Sequence, residues 1–320
     1  MTPLIIALMR RLQVVDYPSA RSSHLTPTLR GGGISVLVAA SAALVLPTAA
    51  RSIDTIVLGV AAAAFGVVGL VEDIHGVRPI SRLGIQVVFA AVAAPLLLRS
   101  MGLSLTWQLA ATLVVIAWLI AYVNAFNFMD GINGIAAAQV IVAGMAWTLI
   151  GYSRHVQILT IGGIAVVGAA LGFAPFNFPR ARIFLGDVGS YFLGAWLGAL
   201  AVLGIRAGIP AEAVLAPLCV YLADTGTTLL HRAFNSEPWY RPHRSHAYQR
   251  LIDLGWTHTR TTTLVALAIA ACSALGAVSL SSSLPGRTTA DVALVTVLSA
   301  YLASPYYVEC RRRRTTARHQ

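Results

Sequence analysis

Apolar residues along the 320-residue chain gather into ten long runs, at about 33–50, 55–71, 83–98, 105–122, 134–152, 156–175, 189–205, 211–229, 262–283 and 289–306. Each holds roughly 16–22 residues, which at 1.5 Å of rise covers about 25–33 Å, enough to cross the hydrocarbon core of a bilayer. The pattern predicts an all-α polytopic membrane protein with about ten transmembrane helices. No internal repeat stands out. Residues 3–9 (P-L-I-I-A-L-M) are apolar but too few to cross, and Arg10 and Arg11 follow at once. A signal peptide carries its positive charge before the apolar run, so this segment reads as the last turns of a truncated span or as an interfacial stub.

Composition excludes soluble domains. Apolar residues make up 57% of the chain, charged residues 11%, and the mean hydropathy is +0.74, whereas soluble chains carry roughly 25% charge. The net charge of +11 would suggest nucleic acid in a soluble protein. Here the arginines lie in loops, and no nucleic-acid partner is expected. All 23 basic residues are arginine. Threading ten spans from a cytoplasmic N-terminus leaves Arg51, Arg99, Arg154, Arg206 and Arg287 outside and the other eighteen inside, as the positive-inside rule requires. Both termini are then cytoplasmic. One integral-membrane domain accounts for residues 1–320: an N-terminal stub and cytoplasmic segment (1–32), a transmembrane core (33–306) and a basic cytoplasmic tail (307–320). Cys219, Cys272 and Cys310 lack C-x-x-C spacing and read as small core hydrophobes.

In this threading the outer loops are chemically plain, and the cytoplasmic loops hold nearly everything reactive: Asp16, His24, Arg30, Glu72, Asp73, Asn124, Asn127, Asp130, Asn133, Asn177, Asp187, His243 and His246. Carboxylates at membrane ends are functional candidates, which points to one active site at the cytoplasmic boundary. Each piece also has a plainer reading. Asp130 and Asp187 both stand just before apolar runs and could cap helix N-termini. Arg30-Gly31-Gly32-Gly33 is either a flexible lead into a helix or a nest of backbone N–H groups for phosphate. Glu72-Asp73 could be a solvated helix end, although adjacent carboxylates are costly without a cation. His243-Arg244-Ser245-His246, with Arg241 and Arg250, suits an anion-binding loop better than a zinc tract. Asp224 reads as a local cap, and Asp54 and Asp291 as ordinary loop or cap residues on the outer face. Together, several carboxylates and asparagines with no thiolate favour a hard cation, Mg²⁺ with Mn²⁺ as an allowed substitute. Basic residues and glycine backbone beside them favour phosphate, and the membrane setting favours a lipid tail.

At these residues the sequence resembles the polyprenyl-phosphate N-acetylhexosamine-1-phosphate transferases of the glycosyltransferase 4 group. Five segments carry the resemblance in family order: D-Y-P-S-A-R-S-S-H-L-T-P-T-L-R-G-G-G (16–33), V-E-D (71–73), N-A-F-N-F-M-D-G-I-N-G (124–134), F-L-G-D-V-G-S (184–190) and H-R-S-H-A-Y-Q-R-L (243–251). The histidine-bearing segments look closer to the O-antigen and surface-glycan branch than to the peptidoglycan enzyme. The resemblance implies an enzyme of the bacterial inner membrane that moves a sugar-1-phosphate from a UDP-N-acetylhexosamine to undecaprenyl phosphate, releases UMP and requires Mg²⁺. It leaves room for a homodimer. By resemblance Glu72, Asp73, Asp130 and Asn133 are catalytic, and Asp187 and Asp73 hold the metal. His24, Arg30, Asn127, Asn177, Arg241, His243, Arg244 and His246 bind substrate. The chain departs from the family pattern at Glu72, where aspartate is usual, at Leu29, where proline is common, and in its short N-terminal segment. The rival readings are a transporter of an anionic solute and a catalytically inactive family member.

Overall fold

A computed structural model of the chain describes residues 1–18, 26–45, 52–237, 244–281 and 283–317. The apolar runs become helices. In chain order these are α1 (Thr2–Arg11), α2 (Gly33–Val45), α3 (Ile53–His75), α4 (Pro79–Leu97), α5 (Leu105–Met129), α6 (Ile135–Ser153), α7 (Gln157–Asn177), α8 (Gly186–Arg206), α9 (Ala211–Leu215), α10 (Cys219–Phe234), α11 (Ala247–Asp253), α12 (His258–Ala277) and α13 (Leu284–Ala317). A single 3₁₀ turn, Ala216–Leu218, joins α9 to α10 into one crossing unit. Among the described residues nine helical stretches are long and apolar enough to cross a membrane. The tenth run forms the shorter α2, whose 13 residues span about 20 Å. The chain is a multi-pass, all-α membrane protein, as its hydrophobic pattern predicts.

α8 is the centre of the bundle. Its sequence is apolar or small on every side, the signature of a helix with no solvent face, and every residue from Val188 to Gly204 is buried. Indoles on and around it find acceptors that lipid could not supply: the buried Trp196 Nε1 donates to the Gly162 carbonyl at 3.0 Å and the partly buried Trp118 Nε1 to the Gly198 carbonyl at 3.0 Å. α3 lies directly against α8, and at Gly69 a side chain would collide with the Asp187 carbonyl. That close approach brings residues of the two helices into hydrogen-bond range at one end of the bundle.

Successive crossings alternate in direction, so α3, α5, α7 and α10 finish at the end where α2, α4, α6, α8 and α12 begin. A small antiparallel pair covers that end, β1 (Val15–Asp16) with β2 (Thr28–Leu29), and Leu29 bridges in parallel to Ile183. Neither strand is visible in the hydrophobic pattern. α1 packs inward through Ile5 and Met9, and its Thr2 hydroxyl meets Ser35 Oγ at 3.2 Å. At the opposite end Asp54 is more than a cap. It pairs with Arg99 at 2.6 Å and with Arg206, whose guanidinium also donates to the Leu97 carbonyl at 2.9 Å, tying α3, α4 and α8 together.

Candidate active site

Two carboxylates from α3 and α8 organise the site. Asp73, only 1% exposed, turns both oxygens onto the start of α8: the Asp187 N–H donates to Oδ1 at 2.9 Å and the Val188 N–H to Oδ2 at 3.0 Å. It thereby supplies, from another helix, the cap that α8 lacks from its own preceding residue Leu185. Gly186 makes this possible, because its φ is +77° and a side chain there would lie 2.6 Å from Asp73 Oδ2. Asp187 therefore does not cap its helix through its side chain. Its carboxylate accepts the Asn127 amide at 2.8 Å and the Arg30 guanidinium at 3.0 Å, while Arg30 Nε donates to Asp73 at 2.7 Å. Arg30 thus bridges the two carboxylates and remains about a third exposed.

Glu72 does not join this cluster. Consecutive helical residues point about 100° apart, and the Glu72 carboxylate accepts the Val77 N–H at 2.7 Å and faces Arg82 of α4 at 3.4 Å. The Arg30-Gly31-Gly32-Gly33 run is not an open nest either. The Gly32 and Gly33 N–H groups donate to the Phe184 and Leu185 carbonyls at 2.9 and 2.7 Å, docking the start of α2 onto the F-L-G-D segment.

The asparagines divide by role. Asn127 belongs to the cluster, donating to Ser190 Oγ at 2.9 Å as well as to Asp187. Asn177 is buried scaffolding: its Oδ1 accepts the Gly134 N–H at 2.7 Å and its Nδ2 donates to the Ile183 carbonyl at 3.1 Å. Asn133 braces its loop, its side chain donating to the Pro179 carbonyl at 3.1 Å and its N–H to His258 Nδ1 at 3.3 Å. Asp130 follows the last residue of α5, so it stands at a helix C-terminus and caps no N-terminus. Among the described residues its carboxylate takes no hydrogen bond. Burial, then the nearby Asp187 carboxylate, pushes the Asp130 carboxyl well above the ordinary carboxylate range.

His246 and α11, which follow the first part of the histidine segment, pack on the D-G-I-N segment. His246 precedes that helix, is 2% exposed, and stacks between the rings of Phe128 and Tyr248. Its Nδ1 faces Asp224 Oδ1 at 3.2 Å. Tyr248 donates to the Phe128 carbonyl at 2.9 Å and fills the space beside Gly131. Arg244 donates to Asp253 at 2.7 Å on the rim. His24, Arg241 and His243 lie outside the described residues.

Arg82 and Tyr191, whose ring lies 5.8 Å from the Arg82 guanidinium, flank the cluster and were not singled out from the sequence. Helical spacing would have found Tyr191 and Ser190, which follow Asp187 by four and three residues. Arg82 gives no such signal. The donor set suits a hard cation held partly by substrate. Asp187 offers a partly exposed carboxylate and Asp130 one without a hydrogen bond among the described residues, which suits Mg²⁺ when phosphate oxygens complete its shell. Both Asp73 oxygens already hold backbone N–H groups.

Fold and site define a multi-pass membrane protein with a carboxylate–guanidinium centre at one end of its helices. The chain belongs to glycosyl transferase family 4, whose model matches residues 55–205. It is 30% identical over 305 residues to the decaprenyl-phosphate N-acetylglucosaminephosphotransferase of Mycobacterium leprae, covering 83% of this chain and 77% of that protein. A Bacillus subtilis relative named "Probable undecaprenyl-phosphate N-acetylglucosaminyl 1-phosphate transferase" is 25% identical over 280 residues, with the same two coverages. The phospho-N-acetylmuramoyl-pentapeptide-transferase of Halalkalibacterium halodurans is 31% identical over 228 residues, covering 63% of this chain and 70% of that protein.

Proposed function

We propose that the chain transfers N-acetylhexosamine-1-phosphate from a UDP-sugar to undecaprenyl phosphate, releasing UMP and starting a cell-envelope glycan. The observation that carries this reading is the Arg30–Asp73–Asp187–Asn127 cluster with the Asp130 carboxyl beside it, gathered at the helix ends where a lipid phosphate would lie. The names of the mycobacterial and Bacillus relatives favour N-acetylglucosamine as the sugar. The transporter reading would favour polar groups near mid-span on interrupted helices, whereas these stand at one end.

The nucleophile is a phosphate monoester, mostly dianionic near pH 7 because its second pKa is about 6. One of its oxygens bonds to the sugar-bearing phosphorus as the bond from that phosphorus to the UMP oxygen breaks, and UMP leaves with the electron pair. The main obstacle is bringing two anions together, so the site must supply positive charge and alignment. Arg30 contributes a fixed guanidinium, held in place by the two carboxylates it bridges. Asp187 and Asp130 would hold Mg²⁺, which when bound neutralises charge on the pyrophosphate. Asp73 keeps the start of α8, and so Asp187, aligned with Arg30. We place the protein in the bacterial inner membrane with both termini and the site cytoplasmic, where nucleotide sugar is supplied.

The test is turnover by the purified protein in nanodiscs, given UDP-N-acetylglucosamine, undecaprenyl phosphate and Mg²⁺. Stoichiometric UMP and a lipid-linked pyrophosphoryl sugar are expected. A correctly folded protein that yields neither with any UDP-N-acetylhexosamine would refute the reading.

A further inference from the structure

Asp224 of α10 is fully buried, and the transfer chemistry above does not use it. A carboxylate withdrawn from water is costly unless donors surround it, and here they do. Oδ1 accepts the Ala247 N–H at 2.9 Å, faces His246 Nδ1 at 3.2 Å and lies 3.5 Å from the Thr228 hydroxyl, while Oδ2 accepts the Tyr301 hydroxyl at 2.6 Å. These donors come from α10 itself, from α11 with the residue before it, and from α13. The next residue of α11, Tyr248, donates to the Phe128 carbonyl and packs on Gly131. The short helix is therefore gripped at its first residue by Asp224 and at its second by the segment carrying Asp130. The contact with Asp224 also fixes which edge of the His246 imidazole turns inward.

We infer that Asp224 is a positioning residue: from within the bundle it locks His246 and the first turn of α11 onto the Asp130 loop, holding the nucleotide-sugar side of the site in register with the carboxylate–guanidinium side. This rests on the transferase reading of the site. Hydrogen exchange on the substrate-free, full-length protein in nanodiscs reads the positioning directly, and steady-state kinetics reads its consequence. Asp224→Asn should raise exchange at residues 246–253 and 128–134 by about ten- to a hundredfold, the factor that loss of a charge-assisted hydrogen bond carries. α3 and α8 should stay protected. The KM for UDP-N-acetylglucosamine should rise about tenfold with the KM for undecaprenyl phosphate within about twofold, as expected when an interaction acts before the chemical step. Asp224→Glu should recover part of both effects.

Unchanged exchange in those two segments overturns the inference. So does exchange raised equally through α10, α12 and α13 with a lower Tm, which would mark ordinary core support. If Asp224→Asn fails to insert, Tyr301→Phe removes only the Oδ2 bond and should raise exchange at 246–253 by a smaller factor; no rise there also overturns the inference. Absence of turnover in the unsubstituted protein would sink the transferase reading alone, because the exchange measurement needs no turnover.

Discussion

Replacing Asp73, Asp187 or Asp130 by asparagine should leave three different signatures. Asp73→Asn takes a carboxylate from two backbone N–H groups and Arg30 in a buried setting, so it should cost about 2–4 kcal/mol of stability together with activity. Asp187→Asn keeps an oxygen that accepts from Asn127 and loses mainly the Arg30 pair. Its stability should stay within about 1 kcal/mol of the parent while turnover falls at least about a hundredfold. Asp130→Asn should act on stability in the opposite sense. Burial raises the Asp130 carboxyl in the metal-free folded chain above its unfolded value of about 4, so this group's contribution is full at low pH and declines as pH rises past that unfolded value. The amide carries no such decline, and thermal melts should show a larger advantage for Asp130→Asn at pH 8 than at pH 5. Equal advantages would show that burial does not hold this carboxyl up. The sequence identified the charged residues of the cluster because carboxylates and arginine at the ends of apolar runs need a reason to be there. It could not say which oxygen meets which donor, because Asp73 and Asp187 are 114 residues apart and meet only when α3 packs on α8. For the same reason the sequence could not show that Asn177 is tied to Gly134 and Ile183, or His246 to Asp224, by buried contacts.

At the scale of elements, the long helices were legible because a bilayer imposes length and apolarity on any crossing segment. α11 and the β1–β2 pair were not, since seven residues and two residues respectively carry no readable period. Yet α11 is what joins the histidine segment to the D-G-I-N segment, and the joint is a close fit. A side chain at Gly131 would meet the Tyr248 hydroxyl. Gly131→Ala should therefore push α11 outward and raise the KM for the nucleotide sugar about tenfold or more, with the KM for the lipid phosphate nearly unchanged. Adding Tyr248→Phe removes the obstructing oxygen along with its bond to the Phe128 carbonyl. Kinetics of the two single variants and the double should show partial rescue, a non-additive coupling characteristic of residues in contact. Strict additivity would mean that the two segments do not communicate through this joint.

For the whole molecule, charge is handled differently at its two ends. Away from the site, Arg99 and Arg206 are paired with Asp54, Arg287 with Glu212, and Arg154 donates to the Leu280 carbonyl. At the site end α13 runs on past the apolar stretch into Arg311–Arg314, where Glu309 pairs with Arg313 as the one acidic neighbour in that run. Few arginines at one end and many at the other are what an orientation with the site facing the cytoplasm requires. The chain carries its own reporter, because Cys310 is exposed near that basic run while Cys219 is partly buried and Cys272 buried. Ser104, exposed before α5, marks the opposite end. In cells expressing the chain with Cys219→Ala and Cys272→Ala, an impermeant thiol reagent should leave Cys310 unlabelled until the membrane is opened. With Cys310→Ser and Ser104→Cys added, the same reagent should label intact cells. The reverse pattern would invert the protein, and it would put the site on the side of the membrane where no nucleotide sugar is made.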